Sequence, residues 1–572
     1  MGLALLLAPA LVFLAVAYLL PLIDLARISA TGAPWWAHFE RVFSVPLYWE
    51  SLLRTMGVAL TVAALCAVFG YPTALLIHRT RGVTRVMIAT AIILPYFIAV
   101  LIRTYAWMVL LGRNGPINKS AIWLGFYEQP MALLFNRGAV LLGMTAVLLP
   151  LMVLSIYSSL SRLDQSLVRA ALASGAGPLA VFWRVLLPLT APGVGAGFLL
   201  VFVSALGFFI TPTLLGGPAD QMFAMHITQQ AESITGEGFL QALAVVLLVI
   251  TLVVVGVAGK LMGFEFIWGG GRLAEGAPAP ARARARTQSG VAAAGADLLG
   301  WPALRVLGRL PGGWGAWTVR LMAGFVIGVL ILPILVVIVI SFSSASYLTF
   351  PPPGWSLRWY EKFFSDPDWM AAFRNSLVIA AMSACIAVAL GASAAVGIVR
   401  GELRYKSALM LLLVSPMIVP PVVLGLSLYG LFLKLGLVGT HVGLAAAHAI
   451  GGVPIVVVIV AAALQGVDRR LEQSAAVHGA APFTVFRTVT LPAIAPGLAA
   501  AVFFAFLHSF DELVLSLFLS SPRLRTLPLR LWADVNYQLN PVLAVVSALE
   551  VAMVIVGVAL ARPIFGRSRA AH

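Results

Sequence analysis

Asp511, Glu512 and Glu550 stand inside apolar runs, "AVFFAFLHSFDELVLSLFL" and "VVSALEVAMVIV". A charge is costly to hold there and marks either a solute path or a buried pair. An acidic cluster at such a depth favours an ammonium by direct charge pairing. The plainer alternative is that Asp511 pairs internally or caps a broken helix, and that Glu550 meets a neighbouring Arg or a polar helix interface. Arg103, Tyr105 and Trp107 form a second candidate set, because aromatic faces hold ammonium groups and a guanidinium holds an anion; Trp107 reads more simply as an interfacial anchor. His226, His448 and His508 are isolated and read as structural. Cys66 and Cys385 lie in apolar runs as small hydrophobes without metal-ligand spacing, so neither a metal site nor a disulfide is expected. The phosphate-cradling G-x-x-x-x-G-K-[ST] pattern is absent, since "GVAGKLMG" has Leu261 after Lys260. The chain is therefore expected to carry no catalytic residue and to bind no cofactor of its own.

Such residues need a membrane around them. The chain is 61% hydrophobic and 10% charged, with a mean hydropathy of +1.01. A hydrocarbon layer about 30 Å thick takes roughly 20 apolar residues per helix, because backbone groups must be paired within the segment. Windows of that kind run from Ala4 to near Leu560, about twelve in all, and the strand alternation of a β-barrel is missing. An all-α polytopic membrane protein is expected. The first run lacks a basic leader and a small-residue cleavage site, so Ala4 to Ile23 reads as a retained helix. A net charge of +16 would suggest nucleic acid in a soluble protein. Here the basic residues gather on one side of the spans, at Arg79, Arg81, Arg85, Arg400, Arg404, Lys406 and a central linker. That bias places both termini on the cytoplasmic side of a bacterial inner membrane, and makes membrane lipid, not nucleic acid, the expected non-protein partner.

The chain repeats itself. "RAALASGAGPLAVFWRVLLPLTAPGV" and "QSAAVHGAAPFTVFRTVTLPAIAPGL" superpose at an offset of 304, setting Gly175 on Gly479, Phe182 on Phe486, Val185 on Val489 and Pro188 on Pro492. Asp164 finds Asp468 and Pro150 finds Pro454 in the same register. Nearer each half's start the offset is 321, matching Gly70 with Gly391 and Pro95 with Pro416. The difference of 17 residues places an insertion on the outer face of half one, in "GRNGPINKSAIWLGFYEQPMALLFNRG". Both copies run in the same direction, so two parallel six-helix units are expected rather than the inverted repeats of many secondary transporters. The expected bounds are residues 1–262 for the first half and 319–572 for the second. Between them, 263–318 reads as a flexible Ala/Pro/Gly/Arg-rich cytoplasmic linker.

The duplicated loops, 161–192 and 465–496, each read as a short Ala-rich helix, a Gly, and a second amphipathic turn followed by two prolines. Gly175 and Gly479 are expected to free the bend from side-chain clash, and Pro188, Pro192, Pro492 and Pro496 to end one helix and start the next. Phe182, Val185, Phe486 and Val489 recur at helical spacing and would give each loop an apolar face for a partner protein. A loop packed only on its own bundle is the plain alternative, which the duplication weakens.

On these residues the loops resemble the E-A-A-x-x-x-G coupling motif of ABC importer permeases of the type I fold. Ala171 falls on the motif's second Ala, while Arg169 and Gln473 stand where the family has Glu; Asp164, Asp468 and Glu472 lie close by as substitutes. The resemblance implies two copies of an ABC ATPase docked on the cytoplasmic loops, where ATP and Mg would be held, and a periplasmic solute-binding protein on the other side. "LIRTYAWMVLLGRNGPIN" and "GFFITPTLLGGP" in half one, with "VPPVVLGLSLYG" and "HSFDELVLSLFLSSPRLRTLPLRLW" in half two, resemble the two permease subunits of spermidine/putrescine importers, in that order. This implies a small amine-containing solute, the branch's alternatives being 2-aminoethylphosphonate, opines or 4-aminobutyrate. That family has an acidic residue at the position of Phe208. The 304 offset sets Gly207 opposite Asp511 and Phe208 opposite Glu512, so half one is apolar where half two is acidic. An ion-gradient-driven secondary transporter is the rival reading, and a membrane-embedded enzyme has no motif behind it.

Overall fold

The computed structural model describes residues 5–232, 238–262, 314–347, 349–537 and 541–569; most of the expected linker, 263–313, lies outside them. The described residues form helices and no named strand, with two isolated bridges, Ser343 with Trp355 and Ser521 with Leu524. In chain order the first half holds α1 (Ala8–Ser29), α2 (Pro46–Arg79), α3 (Gly82–Tyr96), α4 (Val100–Leu111), α5 (Arg137–Ser161), α6 (Gln165–Ala173), α7 (Pro178–Leu206), α8 (Ile210–Leu215) and α9 (Phe239–Leu261). The second holds α10 (Trp317–Ser341), α11 (Pro367–Arg400), α12 (Lys406–Met417), α13 (Pro421–Lys434), α14 (His441–Gln465), α15 (Arg469–Val477), α16 (Pro482–Phe510), α17 (Val514–Leu519) and α18 (Val542–Arg569).

Nine of these helices are long and apolar enough to cross a membrane singly. The pairs around Ala99 and Pro420 turn by 99° and 91° and add two if each is one bent span, and the apolar stretch Val542–Gly557 opens α18. The described residues thus hold nine to eleven candidate spans, against the expected twelve or so.

The duplication is legible in the helix bounds. α2 and α11 are both 34 residues long, α5 and α14 both 25, and α7 and α16 both 29, each pair in the expected register. Corresponding starts share corresponding chemistry. Pro46 and Pro367 fill the first helical turn of α2 and α11, where a missing N–H costs nothing. Asn136 and Thr440 cap α5 and α14, each accepting a backbone N–H at 3.0 Å. α5 and α14 are the innermost spans, with 72% of their apolar windows buried against at most 44% for the other seven. α2 crosses α5 at Gly70, where a Cβ would come within 3.0 Å of Met152, and α11 crosses α14 at Gly391, where it would come within 2.7 Å of Val456. These contacts occupy the same place in each copy, so the matched glycines serve close helix approach.

The inserted segment carries a helix, Pro116–Trp123. Buried Asn118 organises it, donating to the Gly112 and Met131 carbonyls at 3.1 and 3.0 Å and accepting the Met131 N–H at 3.0 Å. Lys119 Nζ reaches the Phe350 carbonyl of half two at 3.1 Å.

One expectation fails in the loops. Pro188, Pro192, Pro492 and Pro496 do not separate two helices, because Pro178–Leu206 and Pro482–Phe510 each run on as one span. A π-helical turn, Phe182–Leu186 or Phe486–Thr490, precedes the first proline of each pair. It shifts the hydrogen-bond register, so Pro188 and Pro492 fall in a first turn that tolerates a missing donor.

Candidate functional site

Each duplicated loop is built from its caps upward. Asp164 accepts the Ser166 N–H at 2.8 Å and Asp468 the Arg470 N–H at 2.9 Å, supplying acceptors to first-turn donors that no helix can pair internally. The Ser166 backbone N–H, seconded by its hydroxyl, holds the Asp164 carboxyl below its ordinary range. α6 and α15 bury no residue. At their ends Gly175 and Gly479 adopt φ of +82° and +84°, and the N–H groups that follow close back on the helix, Ala176 to Ala171 at 3.1 Å and Ala480 to Ala475 at 3.2 Å. A Cβ at either glycine would meet nothing within 4 Å. Backbone handedness, not the expected side-chain clash, is what calls for Gly.

The outward apolar face differs from the expected one. Phe182 packs edge-on against Tyr71 with centroids 5.2 Å apart, and the Tyr71 hydroxyl bonds Thr190 at 2.8 Å. Val185, Phe486 and Val489 are half-buried. Beyond each Gly the chain re-enters the bundle and carries these side chains inward. The exposed apolar groups are instead Leu167 and Leu172 in the first loop and Leu471, Val477 and Phe483 in the second, the last two 85% and 73% exposed. Arg169 is exposed and Ala171 half-buried.

Glu472 is committed within the chain. Its Oε1 accepts from Arg400 Nη2 at 3.0 Å and Nε at 3.2 Å, and from the Thr490 hydroxyl at 2.9 Å, tying α15 to the end of α11. Half one has Val168 and Leu186 at the matching positions; its loop is tied by Gln165 to His78 at 3.2 Å.

The second assembly lies where the halves meet. Asp511 is the C-cap of α16, and Glu512 follows it in the break before α17, so the two acids do not lie within a continuous eleventh helix. Glu512 accepts the Leu515 N–H at 3.1 Å and so caps α17. Glu550 is 5% exposed and accepts the Ala99 N–H of half one at 3.0 Å. Asp511 faces the Val100 N–H beside it. One turn further along α4, Arg103 donates from Nη1 to the Val147 carbonyl at 3.1 Å, while its buried Nε has no protein partner. Arg103 stands in the field of both Asp511 and Glu550.

Cavities of about 10 Å³ flank Arg103, one between Pro95, Trp107, Leu330 and Pro333, the other between Ile98, Ile102, Ile334 and Ser547. Each has the room of about one water molecule. Trp107 is 5% exposed and lines the first, correcting its reading as an interfacial anchor, which would face lipid. Tyr105 is buried with its hydroxyl unpartnered. Phe208 belongs to the matching break of half one, half-buried beside Gly207.

With this geometry in hand, comparison with known proteins decides the family. The model of the binding-protein-dependent transport system inner membrane component matches the chain twice, over residues 59–261 and 387–565. The chain belongs to that family. It is a two-copy, multi-pass ABC importer permease, and the family's permease subunits are not themselves catalytic. It is similar to the spermidine/putrescine transport system permease protein PotB of Escherichia coli, at 35% identity over 205 residues, covering 36% of this chain and 74% of that protein. It is also similar to the putrescine transport system permease protein PotI of the same organism, at 34% over 241 residues, covering 39% of this chain and 81% of that one. Among solved structures, a bacterial alginate ABC transporter in complex with an alginate pentasaccharide-bound periplasmic protein matches at 19% identity and a TM-score of 0.39, over 46% of this chain and 93% of that one.

Within this permease the candidate residues divide. Arg103, Trp107, Asp511 and Glu550 converge on the seam, whereas Glu512 turns to its own helix. The His448 ring, expected to be isolated, bonds Ser509 at 2.9 Å and Ser516 at 3.3 Å, bracing the break that presents Asp511. Sequence reasoning missed the backbone amides of Ala99 and Val100 as partners of the acids. The available signal was the pair Pro420–Pro421 at the matching positions of half two.

Proposed function

We propose that this permease carries a small amine-containing solute from periplasm to cytoplasm by alternating access, with one ATPase docked on each cytoplasmic loop. The observation that carries the reading is the pair of loops. Both have a carboxylate-capped helix that buries nothing, a left-handed Gly with open space around it, and exposed apolar side chains nearby, Leu167 and Leu172 or Leu471, Val477 and Phe483. A membrane protein has no reason to hold two such faces in water unless something covers them. ATP and Mg would sit on the two docked ATPase subunits, a periplasmic solute-binding protein would deliver the solute, and both termini would lie in the cytoplasm. The halves are residues 1–262 and 319–572.

The solute class rests on two carboxylates against one guanidinium at the seam, a balance that favours an ammonium, and on PotB and PotI, whose names specify spermidine and putrescine. Arg103 favours a second reading within the same machinery, a zwitterion such as 4-aminobutyrate or 2-aminoethylphosphonate. The test is uptake into proteoliposomes holding the chain and its operon partners, with putrescine, spermidine, 4-aminobutyrate and 2-aminoethylphosphonate each supplied on the binding protein. ATP-dependent uptake of one of these is expected. Uptake by the chain alone, driven by a proton or sodium gradient, overturns the proposal.

A further inference from the structure

The acids of the seam and the amides they meet are matched in a way that the duplication exposes. Ala99 and Val100 open α4, and the 321 register sets Pro420 and Pro421 at the start of α13. The backbone is the same in both places, with φ, ψ of −45°, 135° at Ala99 and −55°, 131° at Pro420. Half one therefore presents two N–H groups at its helix start, and half two presents none, because proline has no donor. The acceptors follow the donors. Glu550 takes the Ala99 N–H at 3.0 Å, and Asp511 faces the Val100 N–H from the place that Gly207 holds opposite Pro420 and Pro421. At the opposite seam Gly207 stands in the place of Asp511, and a Cβ there would lie 2.9 Å from Pro420 Cβ and 3.5 Å from Pro421 Cδ. That contact is apolar and leaves no room for a carboxylate.

We infer that Asp511 and Glu550 are positioning residues, a two-carboxylate cap supplied by half two that seats the start of α4, and with it Arg103, across the seam. Half one has lost the acid because half two has lost the amides. An uncapped helix start in the membrane interior leaves unpaired donors without water to satisfy them, while a carboxylate facing two prolines would be left equally unpaired. The two seams consequently differ in how they part. Separation at α4 exchanges hydrogen bonds for hydration as water or solute enters, whereas separation at Pro420 exposes apolar surface. Closure of the passage at α4 is thus polar and reversible, and the contact at Pro420 acts as the fixed side.

The test makes the two seams alike. Ala99→Pro with Val100→Pro removes both donors without disturbing backbone angles that half two already accepts with proline. Asp511→Gly with Glu550→Leu removes both acceptors. Each double variant is expected to lower the thermal midpoint of the full-length detergent-solubilised chain by about 5 °C or more, and the quadruple variant to recover most of that loss. Additive losses in the quadruple variant overturn the pairing. A readout beyond stability is ATP hydrolysed per solute taken up with the partners present. It should rise at least several-fold in the proline pair, whose closure is lost, and return toward the parent ratio in the quadruple variant. A ratio unchanged by the proline pair, in a folded protein, overturns the closing role. The thermal cycle needs no partner, so it holds even if the importer reading above fails its own uptake test.

Discussion

Replacing Gly175 and Gly479 together separates two reasons for a glycine at the loop bends. Both sit near φ of +83°, at +82° and +84°, and an added Cβ would meet no atom of the chain within 4 Å. The whole intramolecular cost of Ala is then the left-handed backbone, about 1–2 kcal/mol per position. That shifts each bend away from its observed geometry by about five- to thirty-fold, since 1.4 kcal/mol is tenfold. Asn tolerates the left-handed region far better than Ala. Gly→Ala at both positions should therefore lower solute-stimulated ATPase and uptake several-fold or more, Gly→Asn at both should retain most of each, and neither should change the amount of folded protein in the membrane. The assay is reconstituted ATPase with and without loaded binding protein. Retention of full coupling in the Ala pair refutes the backbone argument. So does loss in the Asn pair as deep as in the Ala pair, which would assign the open space around each Gly to a docked partner that admits no side chain.

The Glu472 hub gives an asymmetric prediction. Arg400 and Glu472 are 10% and 18% exposed, between the exposed pairs worth well under 1 kcal/mol and the buried pairs whose breaking costs 3–5, so Glu472→Ala should cost about 2 kcal/mol in the thermal unfolding of the chain. The same change at Val168 should cost markedly less, and equal losses would count against the hub. The cap of α6 predicts a pH effect of definite sign. The Asp164 carboxyl is held below the ordinary carboxylate range because it accepts from Ser166, so its contribution is present above the ordinary Asp pKa and is lost as pH falls through the lowered one. Hydrogen exchange at the Ser166 amide, corrected for intrinsic rate, should lose protection across that step, and Asp164→Asn should remove the step; an unchanged step in the Asn variant would assign it elsewhere.

What the sequence made legible followed from patterns that have only one physical solution. Twenty-residue apolar windows become helices because hydrocarbon leaves no other way to pair the backbone, and a repeat at offsets of 321 and 304 carries the bounds of α2 and α5 onto those of α11 and α14 with them. Side chains whose direction depends on packing were harder. Phe182 and Phe486 have the spacing of an outward face, yet the chain turns back into the bundle after each Gly, and Leu471, Val477 and Phe483 take the exposed places. Trp107 has the residue type of an interfacial anchor, but the 99° bend between α3 and α4 carries it into the interior beside Arg103.

The acids illustrate the deeper reason that a site is read less well than a fold. Asp511 and Glu550 look like half of an ion pair, and the search for a partner runs naturally to Arg103 or to a cationic solute, because those are visible as residue types. What they face are two backbone amides, Ala99 N–H bonded to Glu550 and Val100 N–H beside Asp511, groups that every residue but proline carries and that become notable only where a helix begins. The information was nonetheless present as an absence: Pro420 and Pro421 stand where half one has Ala99 and Val100. In a duplicated chain, a polar residue kept in one copy and lost from the other is best compared with the donors facing each copy before it is assigned to a ligand. By that comparison the asymmetry of the acids belongs first to how the halves close on each other. On the importer reading proposed above, a solute would gain access to the carboxylates once α4 releases them.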